Sequence, residues 1–403
     1  MLPQKDLLSD SLRICAAVTQ TTKHGDGLVV SWDDQHQSFF HFIWLRDCCY
    51  CELCGDSYSS KRFFMPNDVA LDVAPSAVDV SPDGHLHVTW APDGHVSRYG
   101  AEWLRQNCYD NETRRQRFHE PVLWDSALQD ALPMVSFSTA HNTDRGRMDL
   151  YRKLRDFGFV VVADGSPEPG CAEKAARLVG ELGDAEYAQV FDLTPTANTP
   201  NISHSTRPLL PHTDEPFRHT PPGVNVLGCV RPARDGGATV LVDGFQLGHC
   251  LRKENPEGFA LLSGHGQPFQ RHHDGQLYRR TRARMFNLDD RGRIVGVRIQ
   301  PRSAGPMDLP EELVVPFYAA HQHVCRLMLL ASNQIELALK AGDSVLIDNH
   351  RVLHARTGFA DTNRFVQICN VSREDFHDRL RLLAEKLGHP AEANQVLTTG
   401  MAW

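Results

Sequence analysis

The stretch Pro211-His212-Thr213-Asp214-Glu215-Pro216 decides how the rest of the chain reads. His212 and Asp214 stand two residues apart, and on an extended segment residues i and i+2 point to the same face. An imidazole and a carboxylate then converge on one point and leave room for a third ligand from elsewhere. That is two-thirds of the two-histidine, one-carboxylate set that binds Fe(II) and keeps positions open for oxygen and a co-substrate. The same tripeptide also reads as two surface polar residues in a turn before Pro216, so the downstream sequence has to decide.

Three downstream features bear on that choice. Asp235-Gly236-Gly237-Ala238-Thr239 is a turn feeding a strand that runs to Asp243. Val345-Leu346-Ile347 is an apolar strand leading into Asp348-Asn349-His350-Arg351-Val352-Leu353-His354. Arg364 opens a further strand that runs to Cys369. His354 can complete the triad with His212 and Asp214, with His350 as the rival ligand. Arg364 can hold a carboxylate through a bidentate pair, with Arg356 as its rival, and Thr239 can hydrogen-bond to that same carboxylate.

Around these landmarks the pattern alternates strands with a few helices. Asp149 to Phe157 reads as a helix and Gly158 to Val162 as a strand of the buried type. Ala172 to Leu182 reads as a helix ending at Gly183, Asn198 to Pro211 as a polar loop, and Val224 to Val230 as a strand. Residues 245–265 are partly helical, 266–310 hold short strands and turns, and Leu313 to Leu330 reads as a long helix. A last helix, Arg373 to Leu387, places Phe376, Leu380, Leu383 and Leu387 on one stripe, as packing or as the face of a homodimer.

The N-terminal stretch is different. GLVVSWDD, SFFHFIWLRD and LHVTWAPDGHVSRY read as short strands, with Val88 and Trp90 alternating and Pro92-Asp93-Gly94 as a turn. Four of the eleven cysteines fall between residues 48 and 54, so their clustering and not their number is the signal. Cys51 and Cys54 form a C-x-x-C with Cys49 in reach, and three thiolates need a fourth ligand to close a zinc tetrahedron. His95 is the best candidate, His85 and His87 compete, and a reduced cluster without metal is the alternative. A redox C-x-x-C is disfavoured because no thioredoxin-like βαβ pattern surrounds it. The expected division is a small β-rich zinc-binding domain over 1–118, a connector over 119–131 and a larger domain over 132–403.

Composition bounds the function classes. Over 403 residues, 41% hydrophobic and 23% charged residues describe a soluble globular chain. The net charge of −8, with Lys and Arg dispersed, gives no nucleic-acid footprint. No apolar run is long enough to span a bilayer, and the start, MLPQKDLLSD, is too polar for a secretory leader. A cytoplasmic location is expected, where the cysteines stay reduced.

The order His-x-Asp, Gly-Gly-x-Thr, distal His and Arg ten residues later resembles the Fe(II)/2-oxoglutarate dioxygenases of the taurine dioxygenase and γ-butyrobetaine hydroxylase superfamily. WLRD before the cysteines, DGHVSRY, AEWL, PPGV, VDGF and Asn255-Pro256-x-x-Phe259 extend the resemblance over nearly the whole chain, closest to γ-butyrobetaine hydroxylase-like enzymes with an N-terminal zinc domain. The resemblance implies a mostly β fold with flanking helices, a double-stranded β-helix (jelly roll). It implies iron on His212, Asp214 and His354, and 2-oxoglutarate on Arg364 and Thr239. It implies zinc on Cys49, Cys51, Cys54 and His95, which leaves Cys48 as an extra thiol. The implied reaction uses O2 to hydroxylate a small molecule and releases succinate and CO2.

One region departs from the family's pattern. γ-Butyrobetaine hydroxylases hold a trimethylammonium group in an aromatic cage. The corresponding positions here hold Tyr187, Phe191, His204, Glu215 and Asn370, so two rings remain and one position is a carboxylate. Asn201 and Gln300 match the family's contacts to the substrate carboxylate. The expected substrate is a small amine or ammonium compound with an N–H facing Glu215, and γ-butyrobetaine is expected to be a poor one. The alternatives are γ-butyrobetaine hydroxylase itself, or a hydroxylase of a small aminophosphonate with Arg207, Arg218, Arg280 and Arg282 as its anion site. A non-enzymatic binding protein on this scaffold is argued against by the intact triad and Arg364.

Overall fold

The computed structural model describes residues 16–56, 61–183, 189–196, 202–273, 275 and 277–395. Among them the chain divides into two compact units, one of residues 16–119 with 384–395 and one of residues 120–383.

In the first unit, β1 (Val18–His24), β2 (Gly27–Trp32) and β3 (Gln37–His41) form an antiparallel sheet that leads into α1 (Phe42–Asp47). The pair β4 (Gly55–Asp56) and β5 (Lys61–Arg62) follows the cysteines. Strands β6 (Pro75–Val80), β7 (Leu86–Trp90) and β8 (Val96–Tyr99) form a second antiparallel sheet. Leu86, Val88 and Trp90 alternate inward as their period predicts, and they share a core with Trp32, Phe40, Leu45 and Tyr99. The buried Trp32 and Trp90 each donate an indole N–H to a serine, Ser38 and Ser97, both at 2.8 Å. Helices α2 (Ala101–Asn107) and α3 (Asn111–Gln116) close the unit, α3 being capped by Asp110.

In the second unit, β9 (Met134–Ser136) leads through α4 (Phe137–Asn142) to α5 (Asp144–Phe157). Thr143 caps α5 by accepting the N–H of Gly146. Gly158 ends it at φ +75°, and a Cβ there would meet Arg351 and Val352 at 2.8 Å, so glycine is required twice over. The chain passes into β10 (Phe159–Ala163) and then α6 (Cys171–Ala176). That helix is shorter than the Ala172–Leu182 expected. Gly183 donates to Asn370 O, and a Cβ on Gly180 would strike Val371, so the segment leaves the helix to lie along a strand.

The strands then follow as β11 (Phe191–Leu193), β12 (Leu209–His212), β13 (Val224–Arg231), β14 (Thr239–Asp243), β15 (Gln267–His273), β16 (Leu277–Ala283), β17 (Phe286–Leu288), β18 (Ile294–Val297), β19 (Ile335–Leu337), β20 (Ser344–Asp348), β21 (Val352–Arg356) and β22 (Phe365–Val371). They build a six-stranded sheet, β11-β22-β13-β20-β10-β9, and a four-stranded sheet, β12-β21-β14-β19. Phe159, Leu227, Val345 and Val366 from the first meet Leu241, Ile335, Leu337 and Val352 from the second in one core. This is the jelly roll, the double-stranded β-helix, with helices outside it. Residues 120–131, expected as a connector, pack into this unit: Trp124 is buried in that core and its ring meets Phe159.

Helices α7 (Gly244–Glu254), α8 (Pro256–Gly264) and α9 (Glu311–Leu329) make a second core with β17 and β18. Asn255 caps α8, Pro256 occupies its first turn, and Phe259 stacks on Phe286, which gives the Asn-Pro-x-x-Phe motif a structural job. Helix α10 (Arg373–Lys386) buries Phe376, Leu380 and Leu383, so most of its apolar stripe is packing within the chain, and a short α11 (Pro390–Ala393) follows it.

Candidate active site

Strand β12 pairs antiparallel with β21 through a one-residue irregularity between Leu209 and His212. Pro211, which has no N–H to give to a ladder, sits in that irregularity. The bulge sets His212 directly opposite His354, and the two rings lie 4.4 Å apart. Asp214 turns back beneath them, with Oδ1 at 3.3 Å from His212 Nε2 and Oδ2 at 3.5 Å from His354 Nε2. His212 Nδ1–H donates to Leu210 O at 2.8 Å, which leaves the Nε2 lone pair aimed at the convergence point.

Protonation states suit a metal. Burial raises the Asp214 carboxyl, but His354 and His212 outweigh it and hold Asp214 well below the usual carboxylate range. Burial, opposed by Asp214, lowers His354 to about 4, so its imidazole is neutral at pH 7. The donor set of two neutral imidazoles and one carboxylate on one side fits Fe(II) with positions left open. His350 is not part of it: its Nε2 faces Pro221 O at 3.4 Å.

Two buried asparagines and an arginine, missed in the sequence, fix this loop. Asn225 donates to Asp214 Oδ2 at 2.9 Å, while Asn349 accepts the Asp214 N–H at 2.7 Å and donates to Pro222 O at 3.1 Å. Arg298 binds the carbonyls of Arg218 and His219. A polar Asn225 inside the apolar run Val224 to Val230 was the available signal.

The triad opens on a cavity of about 320 Å³. Thr239, Arg356 and Arg364 line it, and the two arginines have different roles. Arg356 donates to the carbonyls of Ser203, Ser205 and Arg207 and so ties down the loop before β12. Arg364 is buried, lies 5.3 Å from the centre of the Phe359 ring, and has no carboxylate at ion-pair distance among the described residues. A Cβ on Gly237, at φ +70°, would crowd its Cδ and Nε at 3.3 Å, so the Gly-Gly turn makes room for the guanidinium.

The substrate end needs a correction. Glu215 does line the cavity, in the left-handed region at φ 49°. Its carboxylate is not an open acceptor, because it forms an ion pair with Arg218 and has Arg279 at 3.9 Å. Of the other arginines proposed for an anion, Arg282 is bound to Asp308, and neither Arg207 nor Arg280 lines the cavity, where Arg271 and Arg302 stand instead. Phe191, Gln300 and Asn370 line it as expected, and so does the unforeseen Phe217. His204 packs edge-on against Phe191 at 5.1 Å and does not itself line the cavity. Tyr187 and Asn201 lie outside the described residues.

The cysteine cluster has the shape expected of it. His95 Nε2 stands 3.4, 3.6 and 3.5 Å from the sulfurs of Cys49, Cys51 and Cys54. A tetrahedral zinc with ordinary bond lengths puts sulfur and nitrogen about 3.6 Å apart. His85 pairs with Asp83, and His87 is outside the group. Burial pushes the extra thiol, Cys48, up to about 12, so it is a protonated packing residue. A further group, His36, Cys108 and Asp110, does not match: Cys108 Sγ lies 2.7 Å from Asp110 Oδ2, a hydrogen bond within the cap of α3.

The family model described as taurine catabolism dioxygenase TauD, TfdA family matches residues 125–370. This chain belongs to the TauD, TfdA dioxygenase family. A γ-butyrobetaine hydroxylase-like N-terminal model matches residues 19–91. γ-Butyrobetaine dioxygenase of Homo sapiens is 29% identical over 89% of this chain and 94% of its own length. The enzyme of that name from Pseudomonas sp. (strain AK-1) is 29% identical over 92% and 97%. Trimethyllysine dioxygenase of Gallus gallus is 27% identical over 89% and 87%. A solved non-heme iron oxygenase, OrfP with Fe and α-ketoglutaric acid, aligns at a TM-score of 0.46 and 16% identity over 60% of this chain and 94% of that one. Within the TauD, TfdA family, then, the open ligand set of this chain is that of a dioxygenase.

Proposed function

We infer that this dioxygenase uses Fe(II) and 2-oxoglutarate to hydroxylate a small amine- or ammonium-bearing molecule. The observation that carries the reading is the meeting, on one cavity, of an open three-ligand set with a buried guanidinium, Arg364, that lacks an acidic partner among the described residues. His212, Asp214 and His354 would hold the metal, and Arg364 with Thr239 would receive the far carboxylate of the co-substrate. When bound, iron and 2-oxoglutarate supply the oxygen-activating chemistry that ends in a hydroxylated product, succinate and CO2. The chain's own work is orientation: Asn225 and Asn349 aim Asp214, Leu210 O fixes the His212 tautomer, and Arg356 holds the loop at the cavity. Cys49, Cys51, Cys54 and His95 would hold a structural zinc.

The amine class is supported by two relatives named for γ-butyrobetaine and trimethyllysine, both methylated-nitrogen compounds. γ-Butyrobetaine itself is expected to be a poor substrate, because Phe191 and Phe217 are the aromatic rings lining the cavity among the described residues. A cytosolic homodimer belongs to the same reading. Free thiols at all described cysteines and the exposed Leu382 on α10 support it, and light scattering reads the assembly. The deciding test is succinate formation from 2-oxoglutarate with Fe(II) and a panel of small amines. No succinate, together with no binding of 2-oxoglutarate to the iron-loaded protein, overturns the reading.

A further inference from the structure

Helix α9 is apolar on two sides. Its inner side, Phe317, Ala320, Val324, Leu327 and Met328, is buried in the core shared with α7 and α8. Its outer side exposes Glu312, Val315, Ala319, Gln322, Arg326 and Leu329, which follow one another in steps of three and four residues. That rhythm is the seam of a coiled coil, where the recurring positions meet a second helix. A surface helix ordinarily carries one apolar stripe, with polar residues opposite it. On α9, Val315 is 75% exposed and Leu329 51%, and Tyr318 and Leu330 beside them are open as well. By contrast, α10 exposes one large apolar side chain, Leu382.

The charges on this side are ordered. Glu311 and Glu312 stand at the N-terminal end of the helix and Arg326 in its last turn; all three are exposed, and none is in an ion pair among the described residues. Glu312 and Arg326 are about four turns apart, roughly 21 Å along the axis. A second copy of the helix laid antiparallel meets this one layer by layer. Ala319 faces the partner's Gln322, and its small side chain leaves room for the longer amide. Arg326 lays its aliphatic stem on the partner's Val315, and its guanidinium reaches the partner's Glu311 and Glu312 one turn further on. A two-fold axis repeats every contact, so a single patch is complementary to itself. Parallel pairing would instead set glutamate on glutamate and arginine on arginine.

We propose that the outer side of α9 is a self-association surface, on which a second copy of this chain pairs antiparallel, with Arg326 of each helix on Glu311 and Glu312 of the other. This rests on the homodimer reading above and adds the face, the orientation and the charges that select them. Pairing covers the second apolar side of the helix and supplies the counter-charges that the single chain does not. None of these residues lines the cavity or belongs to either ligand set, so the assembly can be altered without touching the chemistry.

The test is sedimentation velocity on the metal-loaded full chain, with circular dichroism as the check on folding. The unmodified protein is expected to sediment as a dimer. Two variants reverse the charges: Arg326→Glu, and Glu311→Arg combined with Glu312→Arg. Each alone should raise the dimer dissociation constant roughly a hundredfold or more, because each sets like charges together twice per dimer. An equimolar mixture of the two variants should restore the dimer, since every glutamate then meets an arginine across the seam. A folding defect in either variant would not be repaired by mixing. Dimers that persist in both variants overturn the proposal and leave the homodimer to another face, which Leu382→Asp on α10 then tests. Loss of the dimer in both variants with no recovery on mixing also overturns it, because the charge pairing is what fixes the antiparallel orientation. An unmodified chain that sediments as a monomer overturns the homodimer reading, and the proposal with it.

Discussion

The cysteine–histidine set of the first unit and the histidine–aspartate set of the second are built from similar ligand types and do opposite things. Cys49, Cys51, Cys54 and His95 surround a point on all sides, and a tetrahedral ion held there has no position left for chemistry. His212, Asp214 and His354 lie to one side of theirs, and the other side is a cavity. The surroundings differ in the same sense. Cys48, beside the first set, packs against a core of aromatic and aliphatic side chains, while the second set is held by the buried polar groups Asn225 and Asn349 and shares its cavity with the buried Arg364. Ligand count and the polarity of the wall, more than ligand chemistry, separate a structural ion from a working one.

The contrast breaks if the open set turns out to be dispensable. His212→Ala and His354→Ala are each expected to reduce iron-dependent succinate formation on the order of a thousandfold or more, while circular dichroism of the metal-free protein stays near that of the parent. His350→Ala should keep turnover, and loss in that variant but not in His354→Ala would mean the wrong distal ligand. For the closed set the readout is stability. Elemental analysis should find about one zinc per chain in iron-free protein, and Cys54→Ser should lose it together with on the order of 5 kcal/mol of the first unit's stability. A zinc-free protein whose cysteines react readily with a thiol reagent would erase the comparison.

Smaller effects sharpen it. Arg364→Ala should weaken 2-oxoglutarate binding by roughly 2–5 kcal/mol and the substrate far less, measured as separate KM values. Equal effects on both would instead make the cavity a single anion site. The mildest expectation concerns acid. Burial, then Arg373, lowers His350 to about 4 and His377 to about 3, against an ordinary value of 6.5. Above pH 6.5 both are neutral folded or unfolded; below it the unfolded chain takes up protons that the folded one refuses. Stability of the second unit should therefore fall as pH drops from about 6.5 toward 4, and urea midpoints that stay flat over that window would contradict it.

What the sequence by itself determined is local. The spacing His212-x-Asp214, the cysteines within residues 48–54, the Gly236-Gly237 turn and the alternation of Val88 and Trp90 are short-range patterns, and residue type and periodicity are enough to read them. They placed His212 with Asp214 and Cys49, Cys51 and Cys54 together as the structure has them, while the jelly roll and the full ligand sets came through the resemblance to the dioxygenase family. What only the tertiary structure decided depends on partners far apart in the chain. Strand register put His354 and not His350 opposite His212. Three carbonyls from the loop at 203–207 occupied Arg356, while Arg364 kept no carboxylate at ion-pair distance among the described residues. Arg218 and Arg279 neutralised Glu215, and Arg302 emerged on the wall from a turn that the sequence marked only through Gln300. The physical reason is that a side chain's chemistry is written in its type, but whether its charge is already met depends on which groups folding brings within a few ångströms of it.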